Sequence, residues 1–175
     1  KAVMISHDNL TWTSFNIING GYMDMNHEDR AISYLPLSHI AAQLIDIHCV
    51  MALGGTCYFA QPDALKGSLT VTMKEVRPTF FFGVPRVWEK IQEKMAQMGR
   101  ESTGIKKHLG TLAKAMGAAK TKRAQYGEDG GAPCGYSCVN AIVLSQIRAA
   151  LGLDQTKGCF TAAAPISPDT LLYFG

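Results

Sequence analysis

Few side chains in this chain stand at spacings that dictate a reaction. The sequence holds no G-x-x-x-x-G-K-[ST], no G-x-G-x-x-G, no G-x-S-x-G and no H-E-x-x-H, so phosphate-loop, dinucleotide, serine-hydrolase and zincin chemistries lack their signatures. Five cysteines (Cys49, Cys57, Cys134, Cys138, Cys159) are an odd and sparse set, which reads as reduced thiols rather than a disulfide scaffold. Cys134 and Cys138 sit four apart without a second pair, and the nearest histidine is the distant His108; no metal site is expected. His39 is the one histidine with a frame, Leu35-Pro36-Leu37-Ser38, at a helix start. An imidazole there can donate to a carboxylate or phosphoryl oxygen, or simply bond to backbone. Arg86, in Val84-Pro85-Arg86-Val87-Trp88, can meet an anion or brace the fold through an acid. Trp88 can line a cavity or fill the core.

Charge is unevenly placed. The net charge is +3 over 175 residues, and the excess sits in 104–126, where Lys106, Lys107, Lys114, Lys120, Lys122 and Arg123 meet no acid. Hydrophobic residues make up 47% of the chain, too many for a disordered polymer. No apolar run reaches the roughly 18 residues of a membrane span. Aromatic residues do not interleave with the lysines until Tyr126, so no nucleic-acid partner is expected.

The elements that must position these residues alternate. Strands are expected at Ala2–Ile5, Ala31–Leu35, Thr56–Ala60, Thr79–Gly83 and Phe160–Ala163. Between them lie a helix capped by Asp8 or Asn9 and stopped at Gly20-Gly21, a helix capped by Ser38 and apolar all round, and a short helix over Ser68–Val76. A helix with Pro85 in its first turn spans Val84–Met98. Ser137–Leu151 and Ser167–Phe174 follow, the latter with Pro168 leading. This order predicts an α/β fold with a mostly parallel sheet and flanking helices. Ile105, Leu109, Leu112, Met116, Ala119 and Arg123 form a 4-3-4-3-4 stripe on a basic amphipathic helix weakened by Gly110 and Gly117. Glu128–Gly135 reads as a loop.

Four stretches in register carry more: Lys1-Ala2-Val3-Met4-Ile5-Ser6-His7-Asp8-Asn9, Tyr34-Leu35-Pro36-Leu37-Ser38-His39, Phe82-Gly83-Val84-Pro85-Arg86-Val87-Trp88-Glu89-Lys90-Ile91, and Thr161-Ala162-Ala163-Ala164-Pro165-Ile166-Ser167. Together they resemble the adenylate-forming, AMP-binding superfamily over nearly the whole chain. Within it they look most like long-chain fatty-acid–CoA ligases; Ile147–Asp154 and Trp88 suggest the bubblegum-type branch. The resemblance implies an incomplete, internal piece of the large N-terminal domain, with an α/β part carrying acyl-tunnel walls over 1–103. A basic helix and loop over 104–135 and a helix, strand and adenine turn over 136–175 complete it.

The implied chemistry has two steps. A carboxylate attacks the α-phosphate of ATP, giving an acyl-adenylate and pyrophosphate; the thiol of coenzyme A then displaces AMP. Mg2+, ATP and coenzyme A are the implied cofactor and co-substrates, and a long-chain fatty acid the implied substrate. His39 would be catalytic, beside the α-phosphate. Lys1 matches the end of the family's phosphate loop and would reach ATP. Ala162, Ala163, Ala164 and Pro165 match a Gly-Ala-Ala-Pro turn on which adenine lies, with Ala162 in the glycine's place; a positive φ there would strain an alanine. Gln43, Val84, Pro85 and Trp88 would line the acyl tunnel, although Gln43 departs from the bulky aromatic gate of some relatives.

The piece alone is expected to be inactive, since the phosphate loop, the metal-binding acid, the ribose-binding Asp and the C-terminal Lys lie outside it. Alternatives are a medium-chain or aryl acid ligase, or a non-catalytic lipid- or membrane-binding module. A cytoplasmic setting is expected, peripheral on endoplasmic reticulum or other membranes if the basic helix meets anionic lipid; that helix can equally attract coenzyme A phosphates or face solvent.

Overall fold

The computed structural model describes residues 3–20, 24–124 and 131–174; within the helices the side chains of Ile105 and Lys106 are not among those described. The fold is α/β, rich in helix, with short parallel strands, as the element order predicts. The elements are α1 (His7–Asn19), β1 (Arg30–Ser33), α2 (residues 40–53), β2 (Thr56–Phe59), a 3₁₀ turn (Ala64–Lys66), α3 (Leu69–Val76) and β3 (Phe80–Phe82). They continue with α4 (Pro85–Glu101), α5 (Gly104–Ala124), α6 (residues 136–151), β4 (Gly158–Phe160) and α7 (Pro168–Phe174). The chain packs as two compact units, Lys1–Phe82 with Leu151–Phe160, and Gly83–Ala150 with Thr161–Gly175.

The first unit holds every described strand. β1 pairs in parallel with β2, and β3 with β4. The two pairs are tied along β1 and β3. At one end the Thr79 N–H donates to the Arg30 carbonyl at 3.0 Å, and the Arg30 N–H to Thr79 Oγ1 at 2.9 Å. At the other the Tyr34 hydroxyl donates to the Phe82 carbonyl at 3.0 Å. Phe82 is also the register partner of Phe160. The C-terminal ends of β1, β3 and β4 therefore share one edge.

The lower ends of the strands are held by charge. Asp29 is buried and takes the Lys157 ammonium at 2.9 Å and the Asn26 N–H at 2.7 Å. Burial pushes its carboxyl up; Lys157, Asn26 and Thr79 outweigh that and hold it below the ordinary range. Arg77 ends α3 in a left-handed conformation (φ 48°), its carbonyl receiving the Arg30 guanidinium at 2.9 Å and its own guanidinium gripping Asp154.

Several expectations need correction. Val3–Ser6 form no strand: a strand exists only by pairing, and no described strand lies beside them. The helix start falls on Ser6 and not on Asp8 or Asn9; Ser6 Oγ accepts the Asn9 N–H at 3.1 Å and Asn9 Oδ1 accepts the Ser6 N–H at 3.0 Å, a capping box. β4 ends at Phe160 rather than Ala163, because Ala163 adopts φ +75° and cannot extend a strand. α2 is not covered on all sides: Ala42, Asp46, Cys49 and Val50 are buried, whereas Met51 is 73% exposed. Its middle, Gln43–Cys49, is a π-helix. In α5 the stripe, whose covering the sequence leaves open, is covered only in part, with Met116 and Ala119 half-buried. Ala113 is buried and Gly110 and Gly117 are half-buried, while Leu109 and Leu112 are exposed.

Gly152 has φ +76°, and a Cβ there would stand 2.2 Å from the Met73 carbonyl oxygen. Gly152→Ala is therefore expected to destabilise strongly, with roughly 1–2 kcal/mol from the left-handed backbone alone before any clash. Gly110 sits mid-helix with open space where a Cβ would go, and Gly110→Ala should stabilise by about 1 kcal/mol. Denaturant melts of the two variants should move in opposite directions.

Candidate functional site

Each candidate segment follows the C-terminal end of a parallel strand, where open α/β sheets bind ligands. His39 follows β1, Val84–Trp88 follow β3, and Ala162–Pro165 follow β4. His39 and Gln43 belong to the first unit; the other described candidates belong to the second. Lys1 lies outside the described residues.

His39, not Ser38, is the N-cap of α2, and its side chain is exposed enough to meet a ligand. Nδ1 accepts the Ala41 N–H at 3.2 Å. A neutral imidazole accepting through Nδ1 carries its proton on Nε2. The cap thus fixes the tautomer and leaves Nε2–H as the donor. One turn on, the Gln43 amide donates to the Leu37 carbonyl at 2.6 Å, folding the Pro36–Ser38 loop back onto α2. Gln43 therefore braces the loop that presents His39.

Val84 is the extended N-cap of α4, and Pro85 its buried first residue, where a missing N–H costs nothing. Trp88 is 5% exposed, and its indole N–H donates to the Gly83 carbonyl at 2.9 Å. A Cβ on Gly83 would lie 2.5 Å from that nitrogen, so the glycine is what admits the ring. The other side of the indole meets Phe174 edge-on at 5.2 Å. Arg86 is exposed and pairs with Glu89 at 3.1 Å.

Ala162, Ala163, Ala164 and Pro165 are all exposed on the turn between β4 and α7. The left-handed residue is Ala163 rather than Ala162. The glycine's replacement is thus unstrained, and the strain sits one residue on. Just before the turn, Thr161 Oγ1 is buried with no hydrogen-bond partner among the described residues. A buried hydroxyl of this kind needs a partner, and a bound base or sugar beside the alanines can supply one. The residues present therefore fit a nucleotide. Among the described residues no three His, Cys, Asp or Glu side chains come together to hold a metal.

Comparison with known proteins decides the family. Residues 1–174 match the AMP-binding enzyme family. The chain belongs to that family. Over 178 residues it is 49% identical to the long-chain-fatty-acid–CoA ligase ACSBG2 of Xenopus laevis and 46% identical to that of Gallus gallus. It is 40% identical to the human ACSBG2 over 174 residues. These alignments take in 99% of the chain but only 24%, 23% and 26% of the relatives. The chain spans about a quarter of their length.

One feature of this AMP-binding segment was not legible as part of a site. Asp46, in the π-helical stretch two turns beyond His39, is 3% exposed. Burial pushes its carboxyl up to about 6, opposed by the Ser33 hydroxyl. Cys49 and Cys57 face the same interior, and burial raises both thiols, with the Asp46 charge adding to the rise. Between the ordinary value of 3.8 and about 6 the folded state holds a proton that the unfolded state has lost. The contribution of Asp46 to stability is therefore full below pH 3.8 and is lost as pH climbs through 6. Asp46→Asn should escape this loss: relative to the unsubstituted protein its stability should rise between pH 4 and pH 7. Denaturant titrations across that range check it, and a pH-independent difference would mean that Asp46 is ionised and compensated throughout.

Proposed function

We propose that the polypeptide containing this chain is an ATP-dependent, AMP-forming long-chain fatty-acid–CoA ligase. The support is the shared edge of β1, β3 and β4, from which the His39 loop, the Val84–Trp88 segment and the alanine turn all depart. The names of the similar ligases agree with it. Adenylation asks for little covalent chemistry from a protein: two anions must be held together and charge at phosphorus neutralised. In this reading the His39 Nε2–H donates to the carboxylate or α-phosphoryl oxygen. The turn Ala162–Pro165 offers adenine a flat bed of small side chains. Gln43, Val84, Pro85 and Trp88 belong to the walls of the acyl tunnel, Trp88 from its buried position. Lys1 would meet the phosphates. Mg2+ would neutralise phosphate charge when bound; its protein ligands are assigned to the remainder of the polypeptide. Coenzyme A supplies the thiol of the second step.

The imidazole has two jobs, capping through Nδ1 and donating through Nε2, and they can be separated. His39→Ala in the full polypeptide should lower adenylate formation by roughly 10²- to 10³-fold, the loss typical of one donor aimed at developing charge. It should also remove a cap worth about 1 kcal/mol. His39→Asn should keep the cap and the melting temperature yet remain slow. Normal adenylation in His39→Asn would reduce His39 to its capping role.

A second reading concerns α5, and the exposed Leu109 and Leu112 favour it. Apolar side chains left uncovered beside lysines suit an anionic membrane surface, and with it a peripheral place on a cytoplasmic membrane face. Lys114 and Lys120 lie over the rings of Tyr173 and Tyr136 at 4.2 and 4.8 Å, so part of their charge already has a partner. No helix of the described residues is long and apolar enough to cross a membrane. Replacing Lys106, Lys107, Lys114 and Lys120 by Gln should weaken binding to anionic vesicles by orders of magnitude at low salt, at about 1 kcal/mol per cation. Raised salt should do the same. Equal flotation of both proteins at low salt would leave α5 a solvated face.

A further inference from the structure

Helices α4 and α7 lie side by side in the second unit in an antiparallel register. Trp88 meets Phe174, and one turn along α4, Gln92 meets Thr170. The second contact is polar. Thr170 is 3% exposed, and its hydroxyl donates to Gln92 Oε1 at 2.7 Å. Because that proton is committed, the 2.9 Å contact between Ser167 Oγ and Thr170 Oγ1 has Ser167 as donor. Ser167 Oγ in turn accepts the Thr170 N–H at 3.1 Å, and the Ser167 carbonyl accepts the N–H groups of Thr170 and Leu171. The result is a polarised relay, Ser167 to Thr170 to Gln92, with each hydroxyl both donating and accepting. Thr170, at its centre, is buried, Gln92 is half-buried and Ser167 exposed; a hydrogen-bonded chain of this kind is rigid when every member is satisfied.

The relay ends two residues from Pro165. The turn it anchors is exposed and contains Ala163 at φ +75°, a left-handed conformation that is unfavourable for an alanine. Strained backbone persists only where its surroundings over-determine it. The alanine side chains of the turn offer no polar atom with which to hold it. We propose that Gln92 is a positioning residue: through Thr170 and Ser167 it holds the alanine turn in its strained, nucleotide-ready shape, although Gln92 itself is not assigned to touch the nucleotide. The proposal rests on the ligase reading, in which adenine lies on that turn.

The test uses the full polypeptide carrying Gln92→Leu, Gln92→Glu, Thr170→Val, or Leu and Val together. Gln92→Leu and Thr170→Val should each raise the KM for ATP roughly five- to tenfold, the scale of one buried hydrogen bond. The KM for fatty acid should not move. The double variant should be no worse than either single one, since both cut the same relay. Gln92→Glu keeps the acceptor and should restore the KM. Independently of turnover, amide hydrogen exchange over 161–167 should quicken in Gln92→Leu while α1 stays unchanged. A fall in kcat and melting temperature with an unchanged KM for ATP would make the relay merely structural and overturn the proposal. Quickened exchange with unaltered ATP affinity in an active enzyme would overturn it too. If the unsubstituted polypeptide consumed no ATP with any carboxylate, the ligase reading would fall and the role of Gln92 in it would go as well.

Discussion

Parallel strands cannot be joined by tight turns, so each must hand the chain to a crossover before the next can pair. Everything in this chain follows from that constraint. Its strands are only three or four residues long, too short to hold a sheet by ladder bonds alone. The work falls on side chains at the seam between β1 and β3. Thr79 and Arg30 close one end, and the Tyr34 hydroxyl on the Phe82 carbonyl closes the other. Beneath them Lys157 neutralises the buried Asp29, and Arg77 with Asp154 fixes the approach to β4. Gly152 allows that approach by bringing its backbone against the Met73 carbonyl. With the strand ends aligned, three connections leave one edge, and they carry the residues that family membership makes relevant.

What could be read from the sequence was what depends on neighbours in the chain. Pro85 at a helix start, the apolar run Phe80–Phe82 and the Pro168 opening of α7 are local signals, and each element formed where they stand. The alternation of strand and helix was enough for the fold class. The four motifs were enough for the family. What could not be read was what depends on distant partners. The Gln92–Thr170 bond joins residues 78 apart, and Tyr34 meets Phe82 across 48. No periodicity carries such pairings. Strand pairing likewise decides whether a β-rich run becomes a strand, which is why Val3–Ile5 did not.

The α5 stripe shows a different limit. Periodicity picks out a stripe through Leu109 and Leu112 but does not say what, if anything, covers it. The helix instead buries Ala113, while Gly110 and Gly117 look onto open space. The alanine turn is similar: the expected glycine position, Ala162, is ordinary, and the left-handed residue is Ala163, which only the path from β4 to α7 determines. At His39 the sequence allowed a backbone bond at the helix start but not which nitrogen makes it; Nδ1 takes the Ala41 N–H, and that turns the other nitrogen into a donor.

The central claim is that this segment forms part of an enzyme that activates long-chain carboxylates at the α-phosphate of ATP. Carboxylate-dependent exchange of labelled pyrophosphate into ATP by the full polypeptide tests it most directly, because exchange reports adenylate formation without the second step. The account predicts exchange that needs a fatty acid and grows from short to long acyl chains, with aryl acids inert. Exchange supported best by an aryl or medium-chain acid, or none with any acid by a folded protein, would contradict it.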